Sequence, residues 1–416
     1  MIKDAKQVCW VVLLLPSILL GQLPEPAGQD DTQIPLSPVV TRLLNDPINT
    51  EDQKLAMYLF HGQWEAIDAS KLTVEQRAEF ALDRYELSAD VLSDVKTPAV
   101  YRAEAANLRG EPDKAVRLLP EPQSLREVLA KSSALETLGK LDEAAQLLTP
   151  WREKLLKQLP ENAADLTRAG LLLSELAVLE GLPARDYQQA MNWFSMARGQ
   201  LDRLYWPAYL AEAQLLCEKG SRMQAIGAIM ETLPLNPNAS QAWLLLGQMS
   251  VESFQFEKAA SCVEKLREIN PQHLLADILE IRSYLAQRDI SAVPAILEAA
   301  QKRYPTQRDL LALEAAMHAM QFDHAQLDKT LAKFEEISPG NPLALATAGE
   351  FLSFARQYDW GEQLLRKAIA MQPNWPKPRS ELALLLMQAG RDDQAYGELE
   401  KAAKLDPFHK QVQNQL

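Results

Sequence analysis

Between residues 206 and 409, apolar positions recur three and four apart, in runs that come in pairs. The last pair is the plainest. ELALLLMQAG at 381–390 is one amphipathic run, ended by Gly390, and RDDQAYGELEKAAKLDP at 391–407 is a second. Both predict helices, with glycine between them because it tolerates positive φ at a helix C-terminus. Gly220 stands at the corresponding place in an earlier pair. Proline punctuates the pairs at 237, 271, 305, 339, 373 and 407, and every interval is 34 residues. Five successive hits have a chance probability on the order of one in a million. Proline at these points ends a second helix or begins the next, where its missing N–H costs little.

With each proline at position 32, the chain divides into 206–239, 240–273, 274–307, 308–341, 342–375 and 376–409, and other positions fall into register. Position 24 holds Ile229, Val263, Leu297, Leu331, Leu365 and Leu399. Position 8 is mostly small (Ala213, Gly247, Ile281, Ala315, Gly349, Ala383), and position 20 holds Ala225, Ala259, Val293, Leu327, Gly361 and Ala395. Small residues at 8 and 20 let two helices approach closely, and the aliphatic residue at 24 fills the groove between them. This combination resembles the tetratricopeptide repeat family, most closely through Trp243, Leu246, Gly247, Ala259 and Pro271. The resemblance implies an all-α fold, a right-handed superhelical solenoid of antiparallel helix pairs. The departures at Asp277, Ile281, Val293 and Leu327 are expected to tilt helices and alter the curvature locally.

Upstream the period loosens. LTRAGLLLSEL at 166–176 and DYQQAMNWFSMA at 186–197 read as a first and second helix, with Gly170 and Ala190 separated by eight more residues than the later units allow. GEPDKAVRLL at 110–119, GKLDEAAQLL at 139–148 and HGQWEAIDA at 61–69 read as second-helix starts. Capping-box spacing at Thr50–Gln53, Thr73–Gln76 and Ser124–Glu127 predicts helix starts near 51, 74 and 125. Residues 51–205 are accordingly read as degenerate repeats, 206–409 as six regular ones, and 410–416 as a short tail or partial cap.

The N-terminus differs in kind. Lys3 and Lys6 precede the apolar run Val8–Leu20, which matches a signal-peptide core and falls short of the ~20 residues of an easy bilayer span. Residues 1–21 are read as an export signal or short anchor, and 22–50 as a proline-rich polar spacer. Left uncleaved, residues 8–20 would tether the chain to a membrane. The expected location is periplasmic, secreted or in the cell envelope. Export would leave Cys217 and Cys262 as the thiols, read as core residues. Asn238-Ala-Ser240 matches the glycosylation triplet.

Composition narrows the function. The 416 residues carry 43 Lys and Arg against 56 Asp and Glu, a net charge of -13, which disfavours a nucleic-acid partner. No HExxH, G-x-S-x-G, G-x-G-x-x-G or G-K-[ST] motif is present. Glu314, His318, Asp323 and His324 come nearest to a metal set, but the two histidines are six apart and diverge on one helix. No catalytic residues, metal site or cofactor are assigned, and the chain is not read as an enzyme.

In the family it resembles, positions 2, 5, 9 and 12 face an inner groove. That implies a lining of Leu210, Gln214, Leu244, Gln248, Val251, Ile278, Arg282, Glu350, Leu384 and Met387, mostly apolar with one cation and one anion. The regularly placed lysine, asparagine and arginine that clamp a partner's C-terminal carboxylate are absent. The expected function is a non-enzymatic scaffold binding a protein or peptide in an extracytoplasmic assembly. Contact through the C-terminal repeat end is a second expected mode. The alternative is the recognition region of an enzyme whose catalytic domain lies beyond residue 416 or on another chain.

Overall fold

A computed structural model describes residues 34–180 and 184–415; the segment read as an export signal and residues 22–33 of the spacer lie outside them. Pro35–Leu416 form one compact unit, helical throughout, with no strand among the described residues. The six regular units are helix pairs: Trp206–Glu218 with Arg222–Thr232, Ser240–Glu252 with Phe256–Ile269, Leu274–Gln287 with Val293–Arg303, Arg308–Met320 with His324–Ile337, Leu343–Phe354 with Tyr358–Met371, and Pro376–Gln388 with Asp392–Leu405. Five of the periodic prolines fall in the connections between pairs, and Pro407 falls between the last pair and the helix Lys410–Gln415.

Successive first helices pack on one another and form the inner layer, while each second helix packs on its own partner and on the next first helix. Small residues make that packing close. A Cβ on Gly349 would sit 2.6 Å from Leu365 Cγ and 3.2 Å from the carbonyl oxygen of Gly361, which holds position 20 of the same unit. Alanine gains about 1 kcal/mol of helix propensity over glycine, but overpacking costs about 1–3 kcal/mol. Gly349→Ala is therefore expected to lower the urea midpoint, corresponding to a net loss of up to about 2 kcal/mol. An unchanged or raised midpoint would show that the two helices have slack.

The turn between the paired helices uses the left-handed region at one repeat position throughout. Gly220 and Gly390 have φ of 65° and 72°, and Phe254, Arg288, Phe322 and Arg356 stand at the same position with φ of 57°, 62°, 60° and 58°. The glycines were legible as turn residues; the other four hold the same conformation because the packed helices on either side dictate the turn. Left-handed backbone costs a non-glycine residue about 1–2 kcal/mol. Arg356 is exposed, so Arg356→Gly is expected to raise stability by about 0.5–1 kcal/mol net of glycine's larger unfolded-state entropy. A lower melting temperature would overturn this account.

Upstream, helices begin at Glu51, Val74 and Leu125 behind the caps Thr50, Thr73 and Ser124, the first two with both capping-box bonds formed. The surplus residues near Gly170 lengthen the first helix, Ala163–Glu180, to 18 residues. One segment departs from its reading. HGQWEAIDA forms no second helix; Trp64–Ala66 is a single 3-10 turn, after which Asp68 accepts from the Ser70 N–H and Thr73 starts a new helix. At the C-terminus Lys410–Gln415 is a short helix whose Val412 is buried against Leu385, Leu386 and Leu399.

The array also winds back on itself. Turns of the early units rest on the proline-bearing connections of the late ones. Trp206 Nε1 and Asn238 Nδ2 donate to the carbonyls of Phe60 and Gly62, each at 2.7 Å. Asn270 Nδ2 donates to Tyr85 O at 3.0 Å, Thr306 Oγ1 donates to Gly110 O at 2.7 Å, and Ser338 Oγ donates to Thr137 O. At Gly110 and Gly139 the approach excludes side chains, since a Cβ would overlap the backbone of Thr306 and of Pro339. Lys219 meets Asp406 in a buried ion pair of 2.7 Å.

Candidate functional site: the inner face of the coil

First helices carry the expected groove residues, and the winding decides which of them stay accessible. Leu210, Leu244, Val251 and Ile278 are each at most 9% exposed, so they pack the coil more than they line it. Gln214, Gln248, Leu384 and Met387 are half-buried. Arg282 and Glu350, the one cation and one anion of the expected lining, are bonded to each other at 2.7 Å across two repeat units. The Arg282 guanidinium also lies 5.3 Å from the Phe351 ring centre, and Lys377 stands 3.7 Å from the other oxygen of Glu350. The two charges therefore partner each other within the chain.

What the sequence reading missed is a line of carboxylates on the same face. Glu136 and Glu175 come from the first helices Leu125–Thr137 and Ala163–Glu180, followed by Glu218, Glu252, Glu350 and Glu381 from the regular units. Burial pushes the Glu175 carboxyl well above the carboxylate range, with Glu136 and Glu218 adding repulsion. Burial beside the neighbouring helices raises Glu218 to about 7, although water reaches part of the residue, with the Lys219 ammonium opposing and Asp406 and Glu136 reinforcing the shift. Burial and the negative charge of Glu350 likewise raise Glu381 to about 7. Charges of one sign along a confined path focus the field within it. The inner face is thus acidic and polar where the sequence suggested an apolar groove. Position 13, with Glu218 and Glu252, was the available signal, one residue beyond the positions the family resemblance supplied.

Other candidates resolve simply. His318 Nε2 is 3.9 Å from Glu314, but the His324 ring lies against Trp360 at 4.1 Å, and no group of three metal-ligating side chains occurs among the described residues. Cys217 and Cys262 are free thiols, raised to about 12 by burial, and Cys217 Sγ lies 3.8 Å from Met249 Sδ. Asn238 of the glycosylation triplet is committed through its amide to Gly62. Among the described residues no helix is long and apolar enough to cross a membrane.

The deciding geometry is the regular part: helix pairs repeating every 34 residues, small residues at the crossing, a left-handed turn at position 15 and first helices lining one face. The chain is a tetratricopeptide-like α-solenoid. No family model matches it, and no curated protein matches it in sequence. Among solved structures the solenoid is similar to yeast Tom70, at 15% identity over 88% of each chain with a TM-score of 0.39. It is similar to the APC/C hetero-tetramer Cut9–Hcn1, at 15% identity over 90% of this chain and 68% of that one, TM-score 0.44. A tetratricopeptide repeat protein from Parabacteroides merdae ATCC 43184 is similar at 18% identity over 64% of this chain and 99% of its own, TM-score 0.42.

Proposed function

We propose that the solenoid is a non-enzymatic scaffold that binds a protein or peptide segment on its inner face, in an extracytoplasmic assembly. The observation that carries the reading is the acidic inner path: Glu252 and Glu350 have cation partners, but Glu136, Glu175, Glu218 and Glu381 stand along it with no ion pair of their own among the described residues. A folded chain gains nothing from that crowding, and an occupant bringing positive charge would relieve it. The location rests on Lys3, Lys6 and the apolar run 8–20 of the sequence.

A photo-crosslinking residue at Gln248, on the inner face, should capture a defined partner from the native compartment. The same residue at the outer position Lys333 should not. Equal capture at both positions would sink the inner-face reading. Fusing residues 1–40 to an export reporter tests the location separately, and a reporter retained inside the cell would refute it.

A further inference from the structure

The helix Val74–Asp83 ends beside a pocket of about 340 Å³ that opens between the early helices and the first regular repeats. Glu79, Asp83, Glu104 and Arg126 line it, together with Asn107, Tyr85 and Trp206. Two of its carboxylates are already matched. Arg126 binds Glu104 through both oxygens at 2.7 Å and Glu79 at 2.7 Å, and its guanidinium is fixed over the Tyr101 ring at 4.4 Å. One guanidinium therefore serves two carboxylates, and the third, Asp83, has neither an ion pair nor a hydrogen bond to its side chain among the described residues. Burial raises the Asp83 carboxyl well above its ordinary value, with Glu79 reinforcing the shift and the Arg126 guanidinium only partly opposing it.

A second group in the wall points the same way. Asn107 donates its Nδ2 to Ser133 Oγ at 3.1 Å, while its Oδ1 is buried with no donor. The pocket thus presents acceptors short of donors, and negative charge short of positive. Its volume suits a side-chain-sized group, at the low end of small-ligand sites.

We infer that this pocket receives a single cationic head group, an ammonium or guanidinium, whose N–H groups bond the Asp83 carboxylate. Two sources share that chemistry: a lysine or arginine side chain on a bound peptide, or a small free organic cation. The peptide source rests on the inner-face reading above; the free cation does not.

The test is calorimetric titration of the full chain with three probes. One is a blocked peptide with arginine flanked by glycines, the second is the same peptide with uncharged citrulline in place of arginine, and the third is agmatine. Loss of a charged hydrogen bond should weaken the citrulline peptide roughly tenfold or more, and Asp83→Asn should weaken the arginine peptide as much. Asp83→Asn removes an unmatched charge, so its melting temperature at pH 8 should equal or exceed wild type. A variant that fails to fold would contradict the unpaired state assigned to Asp83.

Wild type alone supplies another arm. Binding should weaken from pH 8 to pH 5 as Asp83 takes up a proton, with Glu79, Glu104, Arg126 and Tyr85 the other ionisable groups facing it. Tighter binding of the peptide than of agmatine assigns the peptide source, and the reverse assigns the free cation. Equal affinity for arginine and citrulline, no cation binding at millimolar concentration, or binding of calcium alone would each overturn the inference. Charge-independent peptide binding would overturn the pocket and leave the scaffold reading standing. Charge-dependent binding without crosslinking at Gln248 would do the opposite.

Discussion

Lys219→Met should destabilise the solenoid by about 3–5 kcal/mol, the usual cost of removing one partner from a buried ion pair. Lys219 and Asp406 expose only 10% and 6% of their side chains, and the Lys219 ammonium also lies 3.5 Å from the centre of the Tyr187 ring. Methionine keeps the apolar stem but leaves the Asp406 carboxylate desolvated and unpaired. The double variant with Asp406→Leu should recover most of the loss, because replacing both charges with apolar groups is often neutral. Urea denaturation measures both. Amide hydrogen exchange should locate the damage in the 219–221 turn and in the Lys410–Gln415 helix. A single variant within about 1 kcal/mol of wild type would show that the pair does not hold the coil closed.

Acid should weaken a different set of winding contacts. His273 is fully buried as the N-cap of Leu274–Gln287: its Nδ1 accepts from the Leu275 N–H at 3.2 Å, so the proton sits on Nε2, 2.9 Å from Ser240 Oγ. Ser240 in turn donates to the carbonyl of Asp83, and the imidazole stacks on Tyr85. A proton on Nδ1 would abolish the cap. Burial, with the Arg267 charge, pushes His273 down to about 3. His61 is also lowered by burial, with Nδ1 donating to Leu235 O at 2.8 Å. The sign follows. The folded chain binds fewer protons at both histidines, so their stabilisation is complete above the unfolded value near 6.5 and is lost as pH falls below it, for His273 down toward about 3 at up to ~1.4 kcal/mol per unit.

Glu218 and Glu381 run the other way. Their folded values are raised, so their contribution is present below ~4.5 and lost as pH rises through about 7. Between pH ~4.5 and ~6.5 the two sets oppose each other, so stability should change little there and fall in stronger acid, where only the histidines still take up protons. His273→Asn keeps a capping acceptor without the titration. It should match wild type at pH 7 within about 1 kcal/mol and exceed it by about 2–3 kcal/mol at pH 4. Parallel pH curves for the two proteins would refute the assignment.

These contacts mark the limit of what the sequence displays. The period was legible because Pro237 to Pro407 and the aliphatic row from Ile229 to Leu399 obey local geometry, which any helix pair imposes on its own residues. The left-handed turn was legible only at Gly220 and Gly390, since Phe254 or Arg356 carries no mark of a conformation that its neighbours force upon it. The winding was not legible. Thr306 and Gly110 leave no trace of each other, because one hydroxyl meeting one carbonyl 196 residues away imposes no pattern on either neighbourhood. The inner face suffered similarly: Arg282 and Glu350 read as independent lining residues until the curvature joined them, and Asp83 looked like any residue at a helix end.

A helical array bound only to its nearest neighbours can lengthen or shorten by whole units, since each new junction repeats the last. The meeting of early turns with late connections removes that freedom here. Deleting the 240–273 unit, for example, would slide every later connection out of step, setting Gly340 where Thr306 should meet Gly110, and Asp406 out of reach of Lys219. Duplication would shift them the other way. The repeat number is consequently set by the closure of the coil, and a chain with one unit deleted should be less stable even when each remaining unit is intact.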